Sequence, residues 1–245
     1  MALYKQGRRG ISLHIGNEIL TQDRNYLLAH QLIAYSSMSL QSRRGAVQEL
    51  EHLQELHPDY VDVYQFFQAI CHYFEGKYAA SVSVFQQIPT QSAYFHDALR
   101  YLFLSYIALG DTAKAGETAT ELLQTDDLVI ADIYTIFDLF FYTPLKEKSE
   151  FTLYAFFPQV VDEALRICES RFTKYGYVCL YGKAGSLIAD HEEDKALRLL
   201  EGVVKRYPRA ELYEYIGDLY RNKGEKTVAQ GRYQQAFLLA ESFPK

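Results

Sequence analysis

The chain has 245 residues, 49% apolar and 23% charged, which supplies a packed core and argues against intrinsic disorder. Its formal charge of -6 offers no basic face for a phosphate backbone, so nucleic acid is not an expected partner. Three cysteines, Cys71, Cys168 and Cys179, show no paired spacing; they give neither a disulfide framework nor a zinc motif and read as small buried hydrophobes of a reducing compartment.

In chain order, residues 1–10 carry charge without a following apolar run, so no secretory leader is expected. The longest apolar runs, 99–109 and 129–142, are broken by polar residues and are too short to cross a bilayer. A cytoplasmic protein with no membrane insertion is the expectation. Leu13, Ile15, Ile19 and Leu20 predict a capping helix over 12–24, within an N-terminal segment 1–26.

The rest of the chain repeats itself. A start at Leu27 sets Ala34 on a first helix and Ala46, Leu50 and Leu53 on a second, closed by Pro58. A start at Asp62 sets Ala69, then Gly76 at a turn, then Ser81, Phe85 and Ile88. A start at His96 sets Leu99, Leu102 and Tyr106, then Gly110-Asp111, then Ala115. The period is disturbed over 126–176: a first helix is predicted over 128–142 and a second over 160–172, with Ala164 at the small position. Between them an insertion near 143–157 holds Pro144, a charged run Lys146-Glu147-Lys148 and the aromatics Phe151, Tyr154, Phe156 and Phe157. Arg171 stands where a small or aliphatic residue is expected. Starts at Tyr177, with Ala184, Ala196 and Pro208, and at Ala210, with Tyr213, Ile216, Gly217, Tyr220, Gly224, Ala229, Tyr233 and Ala236, restore the frame. The small residues mark places where two helix backbones cross closely, and a near-constant period of 33–35 residues marks a stack of helical hairpins.

Spacing and residue types at these positions resemble the tetratricopeptide consensus. The resemblance implies an all-α, right-handed α-solenoid of about six hairpins, one carrying an insertion, over residues 27–245. It also implies that first helices line a concave groove through fixed repeat positions. Carried over frame by frame, these positions select Tyr35, Phe66, Ile70, Tyr73, Phe74, Leu104, Tyr134, Phe141, Tyr181 and Ile188 as partner-binding residues. The last repeat instead offers Glu211, Glu214, Asp218, Arg221 and Asn222, a charged face, and is expected to supply its own polar end. An apolar, tyrosine-rich middle suits a partner's apolar segment. Whether the insertion fills that groove is open at this stage. Grooves of this class that clamp a chaperone's terminal carboxylate use Lys, Arg and Asn, whereas Gln31, Tyr35, Phe66 and Ile70 hold those places here, which disfavours that function.

Motifs for chemistry are missing: no G-x-G-x-x-G, phosphate-loop lysine, G-x-S-x-G or H-E-x-x-H occurs. The acidic run His191-Glu192-Glu193-Asp194 falls at a turn, where Asp194 reads as a helix N-cap rather than a metal ligand. No cofactor, no metal and no enzymatic activity are therefore expected. The leading reading is an adaptor, scaffold or chaperone holding another protein, with a groove similar to those of bacterial secretion chaperones of this repeat class. The competing reading is a structural subunit of a larger assembly that uses the solenoid ends and outer face, with self-association left open.

Overall fold

A computed structural model describes residues 9–24, 26–39, 43–142 and 157–242. All regular structure among them is helical. The chain divides into two compact units, 1–122 and 123–245, taken separately below. The first holds α1 (Arg9–Gln22), α2 (Leu27–Ser39), α3 (Arg43–Leu56), α4 (Val61–Phe74), α5 (Tyr78–Phe85), α6 (Phe95–Leu109) and α7 (Thr112–Leu123). The second holds α8 (Ile130–Phe137), α9 (Pro158–Arg171), α10 (Gly176–Ala189), α11 (Glu193–Arg206), α12 (Ala210–Asn222) and α13 (Lys226–Ser242). Each repeat start inferred from the sequence falls at the beginning of a first helix. The insertion at 143–156, with Phe151, Tyr154 and Phe156, lies outside the described residues.

One turn geometry closes four of the first helices. Gly76, Gly110 and Gly224 adopt φ of 73°, 73° and 83°, and His191, the equivalent residue of its repeat, adopts 61°. At Gly110 the N–H donates to the Ile107 carbonyl at 3.0 Å and the next N–H, of Asp111, to that of Tyr106 at 3.0 Å. The same two bonds recur at His191 and Glu192, to Ile188 at 3.0 Å and Leu187 at 2.8 Å. This pair satisfies the last carbonyls of the helix and requires a left-handed residue, which glycine adopts without Cβ strain.

In the first unit, small residues set the crossings. Ala34, Ala46, Ala69 and Ala115 are all fully buried. Ser81 takes the alanine's place in the second hairpin, and its hydroxyl donates to the Ala69 carbonyl at 3.0 Å. The serine therefore fits: its one polar atom is satisfied where it would otherwise be an unpaired buried donor. Around the first crossing, Leu50, Leu53, Tyr64 and Cys71 form a core on which Met38 and Phe67 pack. Each such buried Leu contributes roughly 2 kcal/mol by transfer out of water. The predicted N-terminal helix is present as α1, packed on α2, but its contact face differs from expectation. Buried Ser12 and Gly16 meet α2, a Cβ on Gly16 standing only 2.7 Å from Ile33 Cγ1, while Ile15 stays 36% exposed. Close backbone approach, rather than apolar area, seats this helix. His30, 4% exposed, ties the region together, its ring nitrogens lying 2.8 Å from Glu49 Oε2 and 2.7 Å from the Arg24 carbonyl.

In the second unit α8 runs on into a π-helical turn, Asp138–Tyr142. Its aromatics drop into α10 because α10 carries glycines where they land: a Cβ at Gly182 would meet the Phe137 ring at 2.5 Å, and one at Gly185 the Phe141 ring at 2.1 Å. Ala164, Ala196 and Ala229 occupy the second-helix crossings and are buried. Gly217 receives the Tyr233 ring, whose hydroxyl donates to Asp218 at 2.7 Å. Arg171, the residue that breaks the repeat pattern, ends α9 on the surface and donates to the Asp126 carbonyl at 2.6 Å.

The expectation for the cysteines is corrected. Cys71 is a buried thiol outside this pairing, but Cys168 of α9 and Cys179 of α10 form a disulfide, with Cα atoms 5.7 Å apart. The eleven-residue separation resembles no small-domain framework because helix packing, and not a local motif, brings the two together. Oxidising compartments are the usual home of such bonds, so the inference of a reducing compartment loses its ground. On α13, Val228, Phe237 and Leu238 are 41%, 62% and 64% exposed.

Candidate functional site

First helices carry the residues picked out for partner binding, and burial sorts them. In the first unit Phe66 and Ile70 are each only 8% exposed. Phe66 lies in an aromatic web with Tyr94 at 5.0 Å, Phe67 at 5.5 Å and Phe85 at 5.9 Å between centroids. Tyr35 is half-buried, edge-on to Phe67 at 5.1 Å. Tyr73 is half-buried among Phe74, Tyr78 and Tyr101, and Leu104 is half-buried one helix on. Burial raises the Tyr73 phenol above its ordinary range, with the neighbouring Tyr78 and Tyr101 adding to the effect. Phe74 alone of these is open to solvent, at 52%. Of this set, Tyr35, Tyr73, Phe74 and Leu104 present surface, whereas Phe66 and Ile70 support it from beneath.

The second unit builds its part around one carboxylate. Asp138 opens the π-helical turn, and its Oδ1 accepts the Tyr181 hydroxyl at 3.0 Å and the Tyr215 hydroxyl as well. Tyr142 donates to the Tyr181 carbonyl at 2.9 Å. The four rings stack: Tyr134 on Tyr181 at 5.0 Å, Tyr142 on Tyr181 at 4.0 Å, and Tyr215 against Tyr142 at 4.0 Å. Burial drives the phenols of Tyr142, Tyr181 and Tyr215 well above the ordinary range, and lifts Tyr134 to about 12, with the Asp138 and Glu211 carboxylates adding to that rise. Tyr181, fully buried, and Phe141, 4% exposed, therefore sit in the core and offer a partner no surface. The cause is the pair of glycines on α10, which lets α8 approach until groove positions of adjacent repeats pack on each other. Ile188 is half-buried.

Tyr134 remains half-open and lines a pocket of about 320 Å³ with Ile130, Ala131, Thr135, Tyr177, Val178, Arg209 and Glu211. These come from the starts of the three first helices α8, α10 and α12 and from the residue before α12. Arg209 holds extended backbone at φ -136°, and its guanidinium lies 4.4 Å over the Tyr177 ring. The sequence reading gave Tyr134 a binding role and placed Ala131, Val178 and Glu211 on the same face. It missed Tyr177 and Arg209, which fall at repeat positions outside the groove set. The signal available was the aromatic opening one repeat with a base ending it, 32 residues apart.

Two further pockets are polar or lie off this face. His191, Glu193, Asp194, Arg198 and Lys223 line one of about 460 Å³. There Asp194 is not an N-cap: Glu192 is, two residues earlier, and Asp194 lies inside the first turn of α11 and pairs with the Lys223 ammonium. Among the described residues no group of three or more His, Cys, Asp or Glu side chains is placed to hold a metal ion. Another pocket, of about 330 Å³, lies in the first unit between Phe85, Leu102, Tyr106, Lys114 and Glu121.

No family model and no curated protein matches the sequence. Solved structures do. A tetratricopeptide repeat protein from Parabacteroides merdae superposes with a TM-score of 0.62 at 16% identity, over 91% of this chain and 79% of that one. A structure of the APC/C hetero-tetramer Cut9-Hcn1 superposes with a TM-score of 0.51 at 13% identity, over 98% of this chain and 45% of that one. The fold is that of the tetratricopeptide-repeat α-solenoids. Among the described residues no helix is long and apolar enough to cross a membrane.

Proposed function

We propose that the chain is a protein-binding module, an adaptor, scaffold or chaperone whose repeat domain begins at Leu27 and which holds a partner segment against its first helices. The observation that carries this is the open pocket of the second unit, where α8 and α10 contribute apolar side chains and tyrosines and the start of α12 contributes Glu211. Ile188 is half-buried on α10 of the same unit, and in the first unit, taken by itself, Tyr35, Tyr73, Phe74 and Leu104 are partly open on their first helices. Tyrosine gives such a surface contact area at low rotamer cost. Peptides selected for binding to the wild-type protein are expected to lose affinity for Tyr134→Ala or Phe74→Ala, both partly solvent-facing and tolerant of truncation. Selected peptides indifferent to both substitutions would reject the reading.

A second reading, a structural subunit of an assembly, is favoured by α13, which leaves Val228, Phe237 and Leu238 exposed. Exposed apolar side chains of this size are a feature that self-association or a neighbouring subunit covers.

A further inference from the structure

We propose that the pocket of the second unit receives a cationic side chain, lysine or arginine, of the partner, its head on the Tyr134 ring beside the Glu211 carboxylate. The proposal rests on the partner-binding reading and names the chemistry of the segment held. Three observations support it. The pocket is amphipathic: Ile130, Ala131 and Val178 form an apolar wall, which suits the methylene stem of a long basic side chain. The pocket also offers aromatic rings: Tyr134, stacked on Tyr181 at 5.0 Å, and Tyr177 line it, and a tyrosine ring attracts a cation placed within about 6 Å of its centroid.

The charge balance is acidic as well. Glu211 and, one turn on, Glu214 are exposed, and neither makes an ion pair among the described residues. Asp138 takes two hydroxyls and no cation. Asp218, in contrast, is neutralised by Arg221 at 3.0 Å. Of these carboxylates Glu211 lines the pocket, together with Arg209, which keeps its charge and whose guanidinium lies 4.4 Å over the Tyr177 ring. The Tyr134 phenol feels the Asp138 and Glu211 charges together, so the negative potential converges where the pocket is open. A partner's carboxylate would meet that potential unfavourably, and an apolar side chain would leave it unanswered.

The test uses three fluorescently labelled peptides of equal length in one leucine–serine background, carrying lysines, glutamates or neither, with binding followed by anisotropy on the full chain. The lysine peptide is expected to bind best. Glu211→Lys should weaken it roughly tenfold through reversal of a nearby charge, and Tyr134→Leu roughly threefold through loss of the ring face. Asp59→Lys, the same charge change on an exposed site of the first unit, should leave it within about twofold. Wild type, Glu211→Lys and Asp59→Lys should share one helical circular dichroism and melting point, since Glu211 and Asp59 are exposed, and Tyr134→Leu should keep the helical circular dichroism. A glutamate or neutral peptide that binds best and weakens in Tyr134→Leu overturns the cation assignment while leaving partner binding in place. Lysine-peptide affinity unmoved by Glu211→Lys, or lowered equally by Asp59→Lys, also overturns it. So does a lysine peptide that fails to bind while selected peptides still do.

Discussion

His191 stands where three other repeats place glycine, with φ of 61°, and makes the same two closing hydrogen bonds. A histidine in that region carries Cβ strain that glycine lacks. His191→Gly should therefore raise stability by about 0.5–1 kcal/mol, net of glycine's larger unfolded-state entropy, read as an upward shift of the urea midpoint at unchanged slope. Gly185 is the reverse case. A Cβ there would stand 2.1 Å from the Phe141 ring, and both residues are buried, so neither helix has room to yield. Gly185→Ala should cost about 1–3 kcal/mol through overpacking, whereas Gly202→Ala, with open space around its Cβ, should stabilise α11 by close to 1 kcal/mol. Thermal melts of the two variants should move in opposite directions.

At the scale of elements, α8 and α10 decide the character of the second unit. Their tyrosines are held neutral by burial, so the relation to alkali has a definite sign. A phenol raised above its ordinary value of about 10 contributes stability that is fully present below that pH and is lost as pH climbs toward the folded value. Tyr134, at about 12, and the more deeply shifted Tyr181 and Tyr215 should make this unit unfold between about pH 10 and 12, with tyrosinate absorbance and loss of helicity coinciding. Early tyrosinate formation from the cluster in a still-helical protein would contradict the buried arrangement. The disulfide between α9 and α10 constrains the same unit. Replacing Cys168 and Cys179 with serine should lower stability by about 3 kcal/mol on loop-closure grounds. Alkylation of the unfolded, unreduced chain should label Cys71 alone. Neither feature was legible in the sequence: the rings and thiols meet across helices, and the spacing of residues along one helix does not say which neighbour they face.

For the whole molecule, repetition made the fold readable. Every hairpin solves the same packing problem, so its small crossing residues and turns recur at one period. Ala34, Ala69, Ala184 and Gly217 announced first helices, and each one is where its repeat frame put it. On α13, Phe237 and Leu238 are exposed. Phe237→Ser with Leu238→Ser should leave helicity intact and reduce concentration-dependent association in sedimentation, if that face is covered by another chain. Unchanged sedimentation would remove the assembly reading's main support.

Helical hairpins, their number, their starts and their left-handed turns were determined by the sequence alone, since each depends on contacts within one repeat or with the next. Which groove-position side chains are surface was decided only by the tertiary structure. Phe66 and Tyr181 occupy the same repeat position as Tyr134, yet how closely neighbouring helices approach buries the first two and leaves Tyr134 half-open, and on α10 that approach is allowed by Gly182 and Gly185. The same approach brings Cys168 to Cys179 and gathers Tyr134, Tyr181 and Tyr215 around Asp138, because burial is a property of packed neighbours and not of a position in a repeat.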